Sequence, residues 1–391
     1  MMNNLFLKKQ NAYILGGLRS FVGVVNGMYR HIPAENLGAK VLNKLVQKYK
    51  IDERDIDFII GGNGVGAGGN ITRLMMLKAG INSNVPAFTI DVQCGSGLES
   101  IAVANAKILA GEADLIIAGG FESSSTQPQR SYNKNHPDYK GENSAENFYS
   151  VAKFVPNIHR ETVMIEGAEL TAVKEHITKA EMDKWVLKSH ALATKAQREN
   201  LLKDIVVSVC NSNKDEGIRP KMSQKLLDRM GKILPNGKYI TPANACLIND
   251  GASFVIICSE RYINYYNLNP VAKIIGATSC GGNPLLSPKT AITALEKLFS
   301  RYNLEERDID SFEINEAFAV IDVLFERRFA KSVDKYNIFG GALAYGHPYG
   351  ASGSIILLHL IESLKRQKGN LGCCSVAAAG GVGTALLIER V

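Results

Sequence analysis

Two stretches, KYKIDERDIDFIIGGNG at 48–64 and RYNLEERDIDSFEINEAF at 301–318, carry the same five residues, ERDID, between an amphipathic run and an apolar one. Glu53 and Glu306, which open the two copies, stand 253 residues apart. Cys94 in DVQCGSGLES and His347 in GHPYGASGS are separated by the same 253 residues. Each lies in a glycine-rich turn ahead of an apolar helix. Self-similarity at a fixed offset marks a repeated structural unit. The sequence therefore predicts a duplicated α/β chain whose halves each bring one reactive side chain to a shared site.

Apolar periodicity supports the duplication. In the first half, strands are expected near 12–16, 57–61, 87–92 and 114–118, with helices near 34–49, 70–80 and 94–110. In the second, strands near 271–278, 310–314, 335–339, 372–378 and 384–390 alternate with helices near 288–302, 317–331 and 351–365. Such alternation specifies a parallel-rich sheet covered by helices. Between the halves the composition turns polar and irregular (SSSTQPQRSYNKNHPDYKGENSAEN from Ser123), as in long insertions that form lids or binding loops. The division expected is a first half of residues 1–120 and 240–270, a loop domain at 121–239, and a second half at 271–391.

The chain has 391 residues, 46% of them hydrophobic, enough for a large core. Forty-five basic residues against 38 acidic give a net charge of +7 with no basic block interleaved with aromatics, so no nucleic-acid partner is expected. The amino end has no long apolar core or small-residue cleavage site, and apolar runs such as FVIIC (254–258) fall far short of the ~20 residues a membrane span needs. A soluble cytoplasmic protein without a membrane partner is the expectation. The seven cysteines form no CxxC pair and no cluster at zinc spacing, which predicts reduced thiols and no metal.

Cys94 is the leading candidate nucleophile. It follows the apolar run AFTIDV, opens a helix and precedes Gly95, Ser96 and Gly97, which allow close approach. The positive end of a helix dipole favours a thiolate, so the sequence predicts a Cys94 that titrates below an ordinary thiol. His347, held by proline and glycines, can polarise a thiol or hydrogen-bond a carbonyl. Asn315 and Glu316 end a strand on the side where α/β sheets bind ligands, and there an asparagine can orient a water or a carbonyl oxygen. Gly64, Gly66 and Gly69 fit GxGxxG, but no acidic residue follows about 20 positions on, which excludes a dinucleotide site.

Taken in order and spacing, CGSGLES at Cys94, TPANACLINDGA at Thr241, NEAFA at Asn315, GGALAYGHPYGASG at Gly340 and AAAGGVG at Ala377 resemble the thiolases, as does LRSFVG near Arg19. The resemblance covers essentially the whole chain. It implies a duplicated five-layered αβαβα thiolase fold with an inserted loop domain over a coenzyme A tunnel. It also implies that Cys94 accepts the acyl group, that His347 and an Asn315-bound water form one oxyanion hole, and that the main-chain N–H groups of Cys94 and Ala379 form another. IRPKMSQKLLDRM resembles the segment that meets the adenine nucleotide, which makes Arg219 a candidate for the coenzyme's phosphates.

Three positions depart from the family pattern. Ala377 stands where the family has a second, acid/base cysteine, Cys246 where it commonly has a pantetheine-contacting serine, and no histidine precedes Met164. Strand alternation points Cys373 to the same face as Ala377 but about 13 Å away, and Cys374 to the other face. Neither replaces the missing thiol. The reading is an acyltransferase that forms an acyl-enzyme on Cys94 and passes the acyl group to coenzyme A, to an acyl-CoA carbon or to another nucleophile. A one-cysteine condensing enzyme like the ketoacyl synthases or hydroxymethylglutaryl-CoA synthase is the alternative, and a silent acyl-CoA-binding subunit the alternative of another class. Acyl-CoA and coenzyme A are the expected partners, as substrates rather than cofactors, in a homodimer or homotetramer.

Overall fold

The computed structural model describes residues 10–391; the reading of a leaderless amino end falls mainly on residues 1–9, outside the described residues. Nine long strands carry the architecture: β1 Ala12–Ser20, β2 Phe58–Gly62, β3 Ala87–Ile90, β4 Leu115–Ser123, β5 Asn249–Ser259, β6 Ala272–Gly281, β7 Ser311–Ile314, β8 Leu371–Ala378 and β9 Val382–Arg390. They hydrogen-bond in the order β7-β8-β9-β6-β1-β5-β4-β2-β3. The halves meet where β1 and β6 pair antiparallel, Ala12 opposite Ile274. Counted outward from that seam, β1, β5, β4 and β2 match β6, β9, β8 and β7.

The described residues form eight helices of eight residues or more: α1 Ala34–Tyr49, α2 Ile71–Lys78, α3 Ser96–Leu109, α4 Val163–Lys174, α5 Lys179–Arg198, α6 Thr290–Tyr302, α7 Ala319–Arg328 and α8 Tyr349–Gln367. Of these, α4 and α5 pack chiefly on the 284–289 turn and on α7 rather than on the sheet. Strand alternation sorts the core into layers. Ile116, Ala118, Cys374 and Val376 point inward, into one cluster with Leu98 and Ile101 of α3 and Leu357 and Leu360 of α8. Leu115 and Ile117 point outward to Leu42 of α1 and Met75 of α2. Phe312 and Cys373 point outward to Leu295 of α6 and Phe325 of α7. The result is αβαβα, with α3 and α8 packed on each other in the middle.

ERDID has the same structural job twice. Residues Glu53–Asp55 and Glu306–Asp308 form single 3-10 turns, each after a helix closed by a left-handed residue, Lys50 or Asn303. The last aspartate then receives the start of the parallel strand that pairs with its own, β4 beside β2 and β8 beside β7. Asp57 Oδ2 accepts from the Asp114 and Leu115 N–H groups at 2.6 and 3.0 Å, and Asp310 Oδ2 from those of Asn370 and Leu371 at 2.7 and 3.1 Å.

One expected strand is missing. The 335–339 segment makes only a single parallel bridge, Phe312 to Tyr336. Asn337 turns the backbone away at φ 44°, and its side chain takes the place of the ladder, bonding the Ile314 N–H at 2.8 Å and the Ile314 carbonyl at 3.0 Å. β4 runs to Ser123, three residues past the boundary expected at 120. The inserted segment contains the pair Arg130–Ser131 and Phe148–Tyr149, then α4 and α5, the latter opened by a Thr178–Glu181 capping box. Among the described residues no helix is long and apolar enough to cross a membrane.

Removing a charged acceptor from two main-chain donors costs about 2 kcal/mol. Asp57→Ala and Asp310→Ala should each lower stability by about that much in urea denaturation, and by similar amounts because the contacts are equivalent. An unchanged midpoint for either would refute the equivalence.

Candidate functional site

The sharpest local feature is the turn joining β3 to α3. Gln93 adopts a left-handed backbone, φ 51°, which costs a non-glycine residue ~1–3 kcal/mol and persists only where its surroundings hold it. Here Asp91 accepts from the Gln93 N–H at 2.9 Å, and Ser96 Oγ bridges the Val92 N–H and the Gln93 carbonyl at 2.9 and 2.6 Å. The turn presents Cys94 to a cavity of about 270 Å³. Cys94, His347, Cys246, Tyr349, Ala377 and Ala379 all line it.

His347 enters from the other half. Gly346 before it has φ 100°, and a Cβ there would lie 2.1 Å from Asn249 Oδ1, so the position requires glycine. That same oxygen accepts from the His347 N–H at 2.9 Å. The ring lies edge-on to Tyr349 with centroids 4.9 Å apart. Its Nδ1 meets Ser352 Oγ at 2.6 Å and its Nε2 meets Asn315 Nδ2 at 3.3 Å. An amide nitrogen can only donate, so Nε2 carries a lone pair and Nδ1 the proton. Ser352 accepts that proton and donates its own to the Pro348 carbonyl at 3.0 Å. Nε2 is thus unprotonated and can act as a base once an incoming proton displaces the Asn315 hydrogen bond.

Asn315 is brought to His347 by the end of β7. Glu316, beside it, faces away from the cavity and accepts from Ser189 Oγ, Asn337 Nδ2 and the Leu343 N–H at 2.7, 3.0 and 3.1 Å. It fixes the loop that leads to His347. Cys246 is held next to this turn by its N–H donating to the Ala317 carbonyl at 3.0 Å. Ala379 follows β8 in a turn of two left-handed glycines, clamped by Gly282 N–H to Gly381 O at 2.7 Å and Gly381 N–H to Ser287 Oγ at 3.0 Å.

Of the sequence candidates, Cys94, His347, Ala379 and Cys246 share the cavity, and Asn315 stands directly behind His347. Arg219 does not line it; the side chain is exposed, with Nη1 donating to the Glu216 carbonyl at 2.6 Å. Cys373 and Cys374 are buried in different core layers and absent from the cavity wall. Met164 is in that wall, as are Val65, Phe154, Ile165 and Phe318, which make it largely apolar.

Electrostatics correct one expectation. Burial pushes the Cys94 thiol up to about 12, although the N–H groups of Ala379 and Cys94 itself reach the sulfur and pull the other way. Burial also holds His347 down to about 3. The resting pair is therefore a neutral thiol and a neutral imidazole, because desolvation outweighs what the helix terminus supplies. Sequence reading also missed Glu122. This buried carboxylate gathers the N–H groups of Gly64, Val65 and Gly350 at 2.8, 3.3 and 3.0 Å, tying the glycine loop of one half to α8 of the other. The signal available was an acidic residue ending a wholly apolar strand, LIIAGGFES.

Comparison with known proteins bears on this geometry. The family described as thiolase, N-terminal domain, matches residues 12–261, and thiolase, C-terminal domain, matches 268–390. YhfS of Bacillus subtilis (strain 168), provisionally named an acetyl-CoA C-acetyltransferase, is 33% identical over 382 residues, covering 97% of this chain and 99% of its own. A solved structure of human mitochondrial 3-ketoacyl-CoA thiolase in complex with CoA superposes with a TM-score of 0.89 at 28% identity, over 98% of both chains. The acetyl-CoA acetyltransferase of Bacillus anthracis gives 0.89 at 27%, over 98% of this chain and 99% of its own.

A thiol raised to about 12 has a thiolate fraction that is still climbing at pH 10. Iodoacetamide alkylation of Cys94, followed by mass spectrometry from pH 6 to pH 10, should therefore accelerate throughout. A plateau reached below pH 8 would show a stabilised thiolate instead.

Proposed function

The chain belongs to the thiolase family, and on that premise we propose that it transfers an acyl group from a coenzyme A thioester to a second acceptor through an acyl-enzyme on Cys94. The observation that carries the reading is the convergence of Cys94, His347 and Ala379 on one cavity from opposite halves of the molecule. As the thioester arrives, His347 Nε2 takes the Cys94 proton and the sulfur attacks the carbonyl carbon. Negative charge on the carbonyl oxygen meets either the imidazolium with a water on Asn315 or the N–H groups of Cys94 and Ala379. The tetrahedral species expels coenzyme A, which leaves as the thiol with the proton His347 held. Coenzyme A thioesters are substrates here, and the chemistry needs no metal or resident cofactor. Arg219 is proposed to meet the coenzyme's phosphates, and a cytoplasmic homodimer or homotetramer is the proposed form.

The second half-reaction is where Ala377 matters. Joining the acyl group to the α-carbon of another acyl-CoA requires a base for the α-proton, and the reverse cleavage requires an acid. Ala377 lines the cavity with a methyl group and can be neither. Losing a positioned acid/base typically costs ~10² to 10⁴ in rate. That supports an acceptor needing no such base, an already acidic carbon or a non-carbon nucleophile, as in the one-cysteine alternative. Cys246 and Tyr349 are the other proton-bearing side chains near the nucleophile, and burial raises both above their ordinary range.

Incubation with acetyl-CoA should add one acetyl group to the wild type and none to Cys94→Ala, read by intact mass. Binding of coenzyme A without any adduct would instead mark a silent subunit. Acetoacetyl-CoA thiolysis should be slow and should rise by about 10-fold or more in Ala377→Cys. Brisk wild-type thiolysis, unaffected by Ala377→Cys and lost in Cys246→Ala, would move the acid/base role to Cys246.

A further inference from the structure

Behind His347, on the side away from the substrate cavity, lies a separate small space of about 20 Å³. Its wall includes Glu313, Asn315, Ser352 and His359. Three buried polar atoms of these residues have no partner in the protein: Glu313 Oε1, Asn315 Oδ1 and His359 Nε2. The side chains concerned are 1%, 1% and 2% exposed. A buried polar atom left unpaired costs ~1–3 kcal/mol, so three around one space is not a packing accident.

The arrangement follows from two periodicities. On β7, Ser311, Glu313 and Asn315 alternate onto one face. On α8, Ser352, His359 and Ser363 fall on one stripe, and Ser311 Oγ meets Ser363 Oγ at 2.6 Å. A polar seam thus runs through an apolar core and ends at His347.

We infer that this space binds a single water that accepts from Glu313 and donates to Asn315 Oδ1 and His359 Nε2, making Glu313 the positioning residue that fixes the Asn315 amide and, through it, the His347 tautomer. The volume suits one water, which needs ~10–15 Å³ and two to four polar partners. The donor and acceptor count closes. Burial, reinforced by the charge of Glu316, raises Glu313 well above the carboxylate range, so it enters as a neutral acid with a proton to give. Burial and the nearby Arg19 guanidinium keep His359 neutral, an acceptor at Nε2. With its oxygen claimed from behind, Asn315 can only turn its NH₂ toward His347 Nε2, which keeps that nitrogen unprotonated and able to take the Cys94 proton when that proton displaces the amide hydrogen bond. Remove Glu313 and the water loses the donor that anchors it; once the water leaves, the amide can flip its oxygen toward the imidazole and select the Nε2–H tautomer, which cannot act as base.

The inference rests on the acyl-transfer reading for its effect on rate, but not for the tautomer. In ¹⁵N-histidine-labelled protein, with His347→Gln used to assign the signal, His347 should be the Nδ1–H tautomer in the wild type and in Glu313→Gln, whose amide still donates. Glu313→Met, close in shape but without a donor, should show the Nε2–H form and acetylate Cys94 about 10- to 100-fold more slowly, the range seen when a histidine loses its orienting partner. Should Glu313→Met not fold, Glu313→Asp, which withdraws the carboxyl by one methylene, takes its place with the same expectation. An Nε2–H signal in the wild type, or an unchanged tautomer in the folded donor-less variant, overturns the inference. A wild type with the Nδ1–H signal that never acetylates would leave it standing and remove the acyl-transfer reading instead.

Discussion

Everything at the site depends on main chain touching main chain at five glycines. A Cβ on Gly120 would sit 1.9 Å from the Gly350 carbonyl oxygen, one on Gly97 2.5 Å from the same oxygen, and one on Gly353 2.2 Å from the Leu98 nitrogen. Gly62 and Gly350 face each other in the same way, each Cβ within 2.8 Å of the other's oxygen. Without side chains, the first turns of α3 and α8 and the ends of β2 and β4 approach more closely than any other residue allows. Because Cys94 and His347 each precede one of those helices, this contact sets the distance between the two side chains. Glu122 seals it by binding the Gly350 N–H together with the loop at Gly64.

Close approach excludes water, and dry surroundings favour neutral forms. Cys94 and Glu122 are raised, the latter to about 7, while His347 is lowered, all chiefly by burial. A site built this way does not store a thiolate. It holds a neutral thiol, a neutral imidazole and N–H donors aimed at the sulfur, and on the proposed mechanism it separates charge only when a thioester supplies an oxygen to receive it. Preorganised donors in a low-dielectric pocket act most strongly at that moment.

Much of this was legible in the sequence. The 253-residue offset gave away the duplication because equivalent junctions demand equivalent residues, and the aspartates of ERDID turned out to be doing one job in two places. Helices α1, α3 and α8 stood out through their apolar spacing. The strand expected at 335–339 failed because an asparagine side chain can substitute for a ladder, a substitution that apolar pattern does not reveal. The left-handed Gln93 was hidden for a related reason: Asp91 and Ser96 hold it, and neither is a glycine signal. The Cys94 prediction went wrong in sign because a helix terminus can be read from sequence whereas depth of burial cannot. Glu313, Ser352 and His359 were overlooked since each alone reads as an ordinary polar residue, and only the facing of β7 on α8 brings them together.

The duplication supplies an internal control on that polar seam. Set back by 253 residues, Ser311, Glu313 and Asn315 fall on Phe58, Ile60 and Gly62, and Ser352, His359 and Ser363 on Glu99, Ala106 and Ala110. The first half builds the same strand against the same kind of helix; where the second half has the buried Glu313 it has the buried Ile60, whereas Ala106, opposite His359 in this alignment, is exposed and offers no comparison. The strand therefore does not require a buried carboxyl at this place. Burying a carboxyl carries a desolvation cost that an apolar side chain avoids, and the chain, which has the apolar solution at Ile60, carries the costly one beside the residue proposed to accept a proton. On the proposed mechanism, the half that carries Cys94 needs shape and N–H donors from its strand and helix; the half that carries His347 must also specify which nitrogen is bare. That difference in chemical task accounts for the asymmetry between two otherwise matching halves.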